Sequence, residues 1–509
     1  DGNNNTISGL YIEDTANIAY QGFFGNLSGA EIKNLTVEGE IELVRGEYIG
    51  GIAGYAEGST FTNCANKVSI SATDYTQKCG GIAGGVGDSF SVYFKGDSVF
   101  DGCTNEGIIT IVSGMYTGGI IGETVASFDN VFLRDCTNDA LIKGSSGVGG
   151  IVGGARAQSE NNTTVVVECC ENRGKINGEN SVGGIAGDIG YALISGCTNT
   201  GSVTALSNSG NLVGGIAGLT DGTPITGCRN EGAIENHGTG EGNTGGIAGS
   251  FANNFLTSCV NIGNVSGGSR VGGLAGWASY DSTTEGFGAS GSYNTGAIEG
   301  IDTGNGEINF IGGLFGRLQV SNYIPHPDDF LIENCYNTGD VLVLPTAYEA
   351  AALDVGGLFG QIYLLVNGEG SDSLLWARNC YNAGEVKGGE QVGGISGSID
   401  INGENTMWID LGIPGIPPIE NPMGNMAVAT VKITNCYGSG SVTSNADEPE
   451  SVGTGIGLVY SSTSPEDVNE LLISNVFSLA RGETLPIGRD ELGLTDDSDI
   501  VNLSGALMA

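Results

Sequence analysis

Apolar positions along this chain come in short bursts cut by glycine. The burst Val182-Gly183-Gly184-Ile185-Ala186-Gly187 is restated at 49–54, 79–84, 148–153, 213–218, 244–249, 271–276, 311–316, 355–360 and 392–397, with weaker copies at 117–122 and 452–457. The residue after Gly-Gly is Ile or Leu in every copy from Ile52 to Ile395. From 51 to 394 the second glycine recurs in steps of 27 to 44 residues, three of them 31. A period of that size marks a solenoid or an array. Between bursts lies a short apolar strand ending in Cys-x-Asn, as in Leu193-Ile194-Ser195-Gly196-Cys197-Thr198-Asn199, and then Gly-x-Val or Gly-x-Ile, as in Gly201-Ser202-Val203. Short strands separated by Gly and Asn predict an all-β parallel β-helix with about three strands per coil. About 13 coils, paired at about 4.8 Å, give a rod on the order of 60 Å. The apolar columns before and after Gly-Gly stand three residues apart, which breaks strict in-out alternation unless the chain turns a corner there.

Two polar columns run through the repeat. Cys64, Cys103, Cys136, Cys170, Cys197, Cys228, Cys259, Cys335, Cys380 and Cys436 hold one slot in successive repeats, and Ser292 holds it in one. One Cys per coil predicts a stacked internal column of free thiols, with neighbour disulfides as the alternative. No Cys-x-x-Cys pair or nearby His supports zinc. Cys79 replaces the aliphatic residue before Gly-Gly, and Cys169 faces the other way from Cys170. The Asn two places after the slot recurs from Asn66 to Asn382, and reads as a structural ladder whose residues tolerate left-handed corners and bond along their own column.

The repeats divide the chain into an entry coil (1–45), compact repeats (46–277), repeats with long insertions (278–460) and a C-terminal cap (461–509). Candidate insertions are 278–288, 318–330, 362–377 and 398–429. Within the last, Ile413-Pro414-Gly415-Ile416-Pro417-Pro418 is turn and loop chemistry. Ser464-Pro465-Glu466-Asp467 suits a short helical turn in the cap.

Composition narrows the function. Gly fills 91 positions without a third-residue period, which excludes collagen. With 18 Lys plus Arg against 58 Asp plus Glu, the net charge of −40 repels phosphate backbones and anionic lipid. Nucleic acid and direct membrane insertion are therefore not expected as partners, and no apolar run reaches a membrane span. The start at Asp1 without Met suggests that a leader or upstream region has been removed.

Catalytic chemistry is sparse. His237 and His326 lie far apart, so a metalloprotease or a His-based triad is not expected. Asp328 and Asp329 in one insertion, and Asp400, Glu404 and Asp410 in another, suit either catalysis or calcium. Chance clustering among 58 acids argues against catalysis. Asp400, Asn402 and Glu404 are spaced like the start of a calcium loop, but the twelfth-position Glu is missing, and calcium is the one candidate cofactor. The residue after the Cys slot varies in the first half and becomes Tyr293, Tyr336, Tyr381 and Tyr437 in the second. If the Cys column points inward these rings point outward, as a ladder able to stack on sugars or anchor a partner protein. The insertions of the same half supply a second reading, in which they fold over the rings, and the coincidence of the two features favours cover.

The repeated Gly-Gly-Ile-Ala-Gly, followed by Cys-Thr-Asn-Thr-Gly and Val-Thr, resembles the GLUG motif of bacterial surface and secreted proteins. The opening Asp1-Gly2-Asn3-Asn4-Asn5-Thr6-Ile7-Ser8-Gly9-Leu10, with Gly22-Phe23-Phe24-Gly25, looks like the first coil of such arrays. The likeness covers roughly residues 1–460. It implies an extracellular, adhesin-like protein, some relatives standing beside immunoglobulin A peptidases. It carries over no catalytic residue, and the His-Glu-x-x-His of the peptidase relatives is absent. The expectation is a non-enzymatic secreted or cell-surface adhesin or stalk, part of a larger surface protein, binding a glycan or a host surface protein through loops of the C-terminal half, between 278 and 430. The alternatives are a passive spacer or a polysaccharide-degrading β-helix enzyme.

Overall fold

The computed structural model describes residues 1–87, 96–158, 163–206, 210–238, 240–280, 287–301, 310–322, 330–343, 354–366, 373–402, 406–410, 428–434, 436–444, 451–453, 456–461, 471–474, 477–478, 487–490 and 501–502. All regular structure among them is strand. The chain forms two compact units, Asp1–Gly242 with Gly246–Ser250, and Asn243–Gly245 with Phe251–Ala509.

Each unit is a parallel β-helix with three sheets. In the first unit one coil runs Thr198–Asn199, Val203–Ala205 and Leu212–Gly214 along the first sheet, Ala217–Asp221 on the second and Ile225–Thr226 on the third. It then re-enters the first sheet at Arg229–Asn230. Successive coils pair in register, Ala186 with Ala217, Ile194 with Ile225 and Thr198 with Arg229. The second unit repeats the plan with Tyr293–Asn294, Ile298–Gly300, Phe310–Gly312, Phe315–Asn322 and Phe330–Glu333. The expected three strands per coil are thus three faces, the first built of several short pieces.

The glycine pair is the corner that the three-residue spacing required. Asn180–Gly183 ends the first-sheet strand, Gly184 and Ile185 turn, and the second sheet starts at Ala186. Val182, Ile185 and Ala186 are all fully buried. No side chain fits at the pair. A Cβ on Gly183 would stand closer than 3.0 Å to the Ala186 carbonyl oxygen, and one on Gly184 closer than 3.0 Å to the Gly215 carbonyl oxygen and to the Asn199 amide.

A different residue supplies the left-handed corner. The residue before the Cys slot has φ near +55° whatever its type, as at Asn63, Asp135, Cys169, Asn334 and Asn379. The ladder asparagines are absent from that conformation, so the expectation that they turn corners is corrected. Their task is the hydrogen bond alone.

The interior is filled by in-register aliphatic rungs, such as Ile109, Ile142, Ile176, Val203 and Ile234, all fully buried. Burying each contributes about 1.5–3 kcal/mol. In the second unit the second-sheet strands run on through positions expected to be insertion, as in Phe359–Val366 and Ser396–Asn402. Thr406–Asp410, inside the expected 398–429 insertion, pairs with Val428–Thr434 and Leu471–Ser474. The Pro-rich stretch 413–419 and the helical turn at 464 lie outside the described residues.

Candidate functional site

The inward columns come first, because they fix where the outward side chains stand. Cys64, Cys103, Cys136, Cys170, Cys197 and Cys228 in the first unit, and Cys259, Cys335, Cys380 and Cys436 in the second, are buried free thiols. Each donates to backbone carbonyls, as Cys136 Sγ does to Phe100 O at 3.4 Å and Arg134 O at 3.3 Å. Ser292 makes the same bonds from the same slot. Hydrogen bonds donated to neighbouring ladder thiols, and then burial, hold Cys64, Cys136 and Cys197 above the ordinary thiol range. Cys169 is exposed and Cys79 buried, as expected.

Two places on, the asparagine amides chain from coil to coil. In the first unit Nδ2 donates to the next Oδ1 from Asn66 through Asn230 at 2.7–2.8 Å, and in the second from Asn261 through Asn382 at 2.7–2.8 Å. The other amide hydrogen goes to the carbonyl two residues on, as from Asn172 to Gly174. Ladder and slot flank one outward position.

In the second unit that position holds Tyr293, Tyr336, Tyr381 and Tyr437, paired strand to strand. Consecutive ring centroids lie 4.5, 4.9 and 5.4 Å apart with interplanar angles of 6°, 3° and 9°. The spacing follows the strand spacing of about 4.7–4.9 Å, which is wider than atomic contact between flat rings, so the stack is offset. The rings are half-buried in three coils, and Tyr437 is 43% exposed. The rings are therefore not fully covered, while much of the insertions expected to fold over them lies outside the described residues. Burial first, and then the neighbouring Tyr293 and Tyr381, push the Tyr336 phenol up, so its hydroxyl stays a donor at neutral pH. Beside the ladder, Asn379 Nδ2 donates to Asn334 Oδ1 at 3.3 Å, and Arg378 donates twice to Glu333 Oε2, at 2.9 and 2.6 Å. In the first unit the same column is Ala65, Thr104, Thr137, Glu171, Thr198 and Arg229, with no aromatic rung.

The candidate calcium residues are not brought together by what is described. Asp400 is buried, while Glu404 and the side chain of Asn402 lie outside the described residues, as do Asp328 and Asp329. Among the described residues no three His, Cys, Asp or Glu side chains group closely enough to hold a metal.

One acid was not foreseen. Asp354, 2% exposed, accepts from Gln361 Nε2 at 3.2 Å. Burial pushes its carboxyl up to about 8, a Ser398 hydrogen bond draws it down and Asp400 pushes it up. No local motif marks it, because Ser398 and Asp400 come from the next coil and only Gln361 from its own.

Comparison with family models matches residues 45–71 to the GLUG motif. No curated protein and no solved structure matches the chain. The matched segment holds the glycine corner at 49–54, strands Ala53–Glu57 and Thr60–Thr62, Cys64 and Asn66, which together make one turn of the helix. That turn is the one the rest of the chain restates, so this parallel β-helix carries a GLUG motif at residues 45–71 and repeats its corner, Cys and Asn slots along the chain.

Proposed function

We propose that this β-helix is a non-enzymatic secreted or cell-surface bacterial adhesin or stalk that holds a glycan or a host surface protein on the tyrosine ladder of its second unit. One observation carries the reading, the four half-exposed rings stacked in register where the first unit has Ala, Thr, Glu and Arg. Neutral phenols on a rigid sheet supply apolar contact and hydrogen-bond donors at little entropic cost. The net charge of −40 makes neutral or cationic ligands the better fit.

The test is a glycan-array and matrix-protein screen on the full chain, with and without calcium. A ligand that binds the native chain and loses about tenfold or more in affinity with Tyr336→Ala and Tyr381→Ala together supports the ladder. A well-folded chain that binds nothing at high concentration makes it a passive spacer.

A further inference from the structure

The first unit has an aromatic face of its own, at the corner between its first and second sheets. Tyr20, Tyr48, Lys78 and Tyr116 stand just before the paired residues Gln21, Ile49, Cys79 and Thr117, one per coil. All four have left-handed backbones, with φ of 63°, 60°, 58° and 61°, a conformation unfavourable for bulky side chains. The next two coils turn the same corner with Gly147 and Ser181, so the corner itself needs no ring. The second sheet makes room for the rings. A Cβ on Gly85 would stand closer than 3.0 Å to the Tyr48 ring, and one on Gly154 closer than 3.0 Å to that of Tyr116.

The rings surround a fixed charge. Tyr20 stacks on Tyr48 at 5.0 Å, and Tyr55 meets Tyr48 edge-on at 5.3 Å. Lys78 Nζ donates to the Tyr48 hydroxyl at 2.8 Å and pairs with Glu47 and Glu123, each at 3.2 Å. Tyr20 is 43% exposed, and the carboxylates keep 43% and 22% of their side-chain surface.

We propose that Tyr20, Tyr48, Lys78, Glu47, Glu123 and Tyr116 form a binding site for a neutral pyranoside chain. Ring faces take the apolar C–H face of a sugar, and the anchored carboxylates and ammonium take its hydroxyls. The site selects against uronate, sulfate and phosphate, because two carboxylates already surround its one ammonium. The next cation along, Arg156, is paired with Asp188 at 3.2 Å. Two coils separate Tyr48 from Tyr116, about 10 Å at about 4.8 Å per coil, with Lys78 between them. That length suits a run of sugars rather than one. The site uses none of the ladder residues of the second unit.

The test uses the full chain carrying Tyr336→Ala and Tyr381→Ala, so that the ladder is silent. Cellohexaose, mannohexaose and xylohexaose are titrated calorimetrically, with hexagalacturonate and a proline-rich peptide as controls. A neutral hexasaccharide is expected to bind, to lose about tenfold in affinity with Tyr20→Ala, and to weaken likewise with the shape-preserving Glu123→Gln at an unchanged melting temperature. Hexagalacturonate is expected not to bind. Absence of neutral-sugar binding in this background, binding indifferent to both variants, or preference for the peptide overturns the proposal. If the native and ladder-silent chains bind alike and Tyr20→Ala and Glu123→Gln weaken that binding, the ladder reading fails and this one stands; if the native chain binds and the ladder-silent chain does not, the reverse holds.

Discussion

Asn172 shows how much rests on one side chain. Its Oδ1 accepts from Asn138 at 2.8 Å, and its Nδ2 donates to Asn199 at 2.7 Å and to Gly174 O at 2.9 Å. All three asparagines are fully buried, out of reach of bulk solvent. Asn172→Ala leaves the Asn138 amide and the Gly174 carbonyl short of a bond. Each buried orphan costs about 1–3 kcal/mol, so urea unfolding is expected to show a loss of about 3 kcal/mol. A loss under about 1 kcal/mol, the usual limit for a neutral surface change, would mean that the ladder is ornamental. Asp354 makes a prediction of opposite kind. Its carboxyl titrates near 8 when folded against 3.8 for the ordinary group, so the folded chain holds a proton that the unfolded chain releases. The stability this proton brings is full below about pH 4 and is lost as pH rises from there through about 8. Asp354→Asn is expected to flatten melting temperature against pH across that window. An unchanged slope would show that Asp354 is already ionised in the folded chain.

The glycine corner and the strands it joins behave as one element, and its glycines are unequal. Gly184→Ala drives a methyl into the Gly215 carbonyl and the Asn199 amide, neither of which has space to move. Gly190, at the end of the second-sheet strand Ala186–Gly190, meets nothing closer than 3.7 Å and has no left-handed φ. Gly184→Ala is expected to cost about 3 kcal/mol or more and Gly190→Ala close to nothing. Paired thermal melts check the contrast, and equal melts would refute the steric account. This element was the most legible part of the sequence, because parallel stacking puts the same demand on every coil and the answer recurs as Gly-Gly-Ile. The Cys and Asn slots were legible for the same reason. The corner before the Cys slot was not. Gly, Asn and Asp, which tolerate that backbone, fill most of it, but they alternate with one another and with Cys169 and Ser258, so the column leaves no single-letter pattern. Nor was the exposure of the tyrosine ladder, which depends on where insertions travel rather than on strand alternation. Asp354 lay beyond reach because its titration is set first by burial between coils, and Ser398 and Asp400, which adjust it, stand 44 and 46 positions away in the chain.

Across the chain, in-register stacking sets like residues beside like, which is harmless for Ile, useful for Asn and costly for charge. With 58 acids and 18 bases the chain meets part of that cost by setting some of its bases beside acids of the neighbouring coils. Lys67 reaches Glu106 at 3.0 Å and Lys78 sits between Glu47 and Glu123. Exposed pairs such as Lys67–Glu106 contribute little each, so the stability of both units rests on the buried columns, and the thiols report on those columns directly. Of the 12 cysteines only Cys169 is exposed, while the ladder thiols lie inside. A native chain treated with a thiol–disulfide reagent is therefore expected to release one equivalent quickly. That rate should rise with pH beyond the range of an ordinary thiol, because partial burial and then Asp135 and Glu168 hold the Cys169 thiol up. The remaining thiols need their coils to open. Each coil of a solenoid contacts mainly its neighbours, so opening spreads in blocks rather than all at once. Under mild urea the slow equivalents are expected to appear in groups of sequence-adjacent ladder positions, read by peptide mapping of the labelled chain. Several fast equivalents without urea would mean that the column is not sealed. Labelling of all ladder thiols in a single step would mean that each unit opens as one cooperative body, and the nearest-neighbour picture of its stability would have to be abandoned.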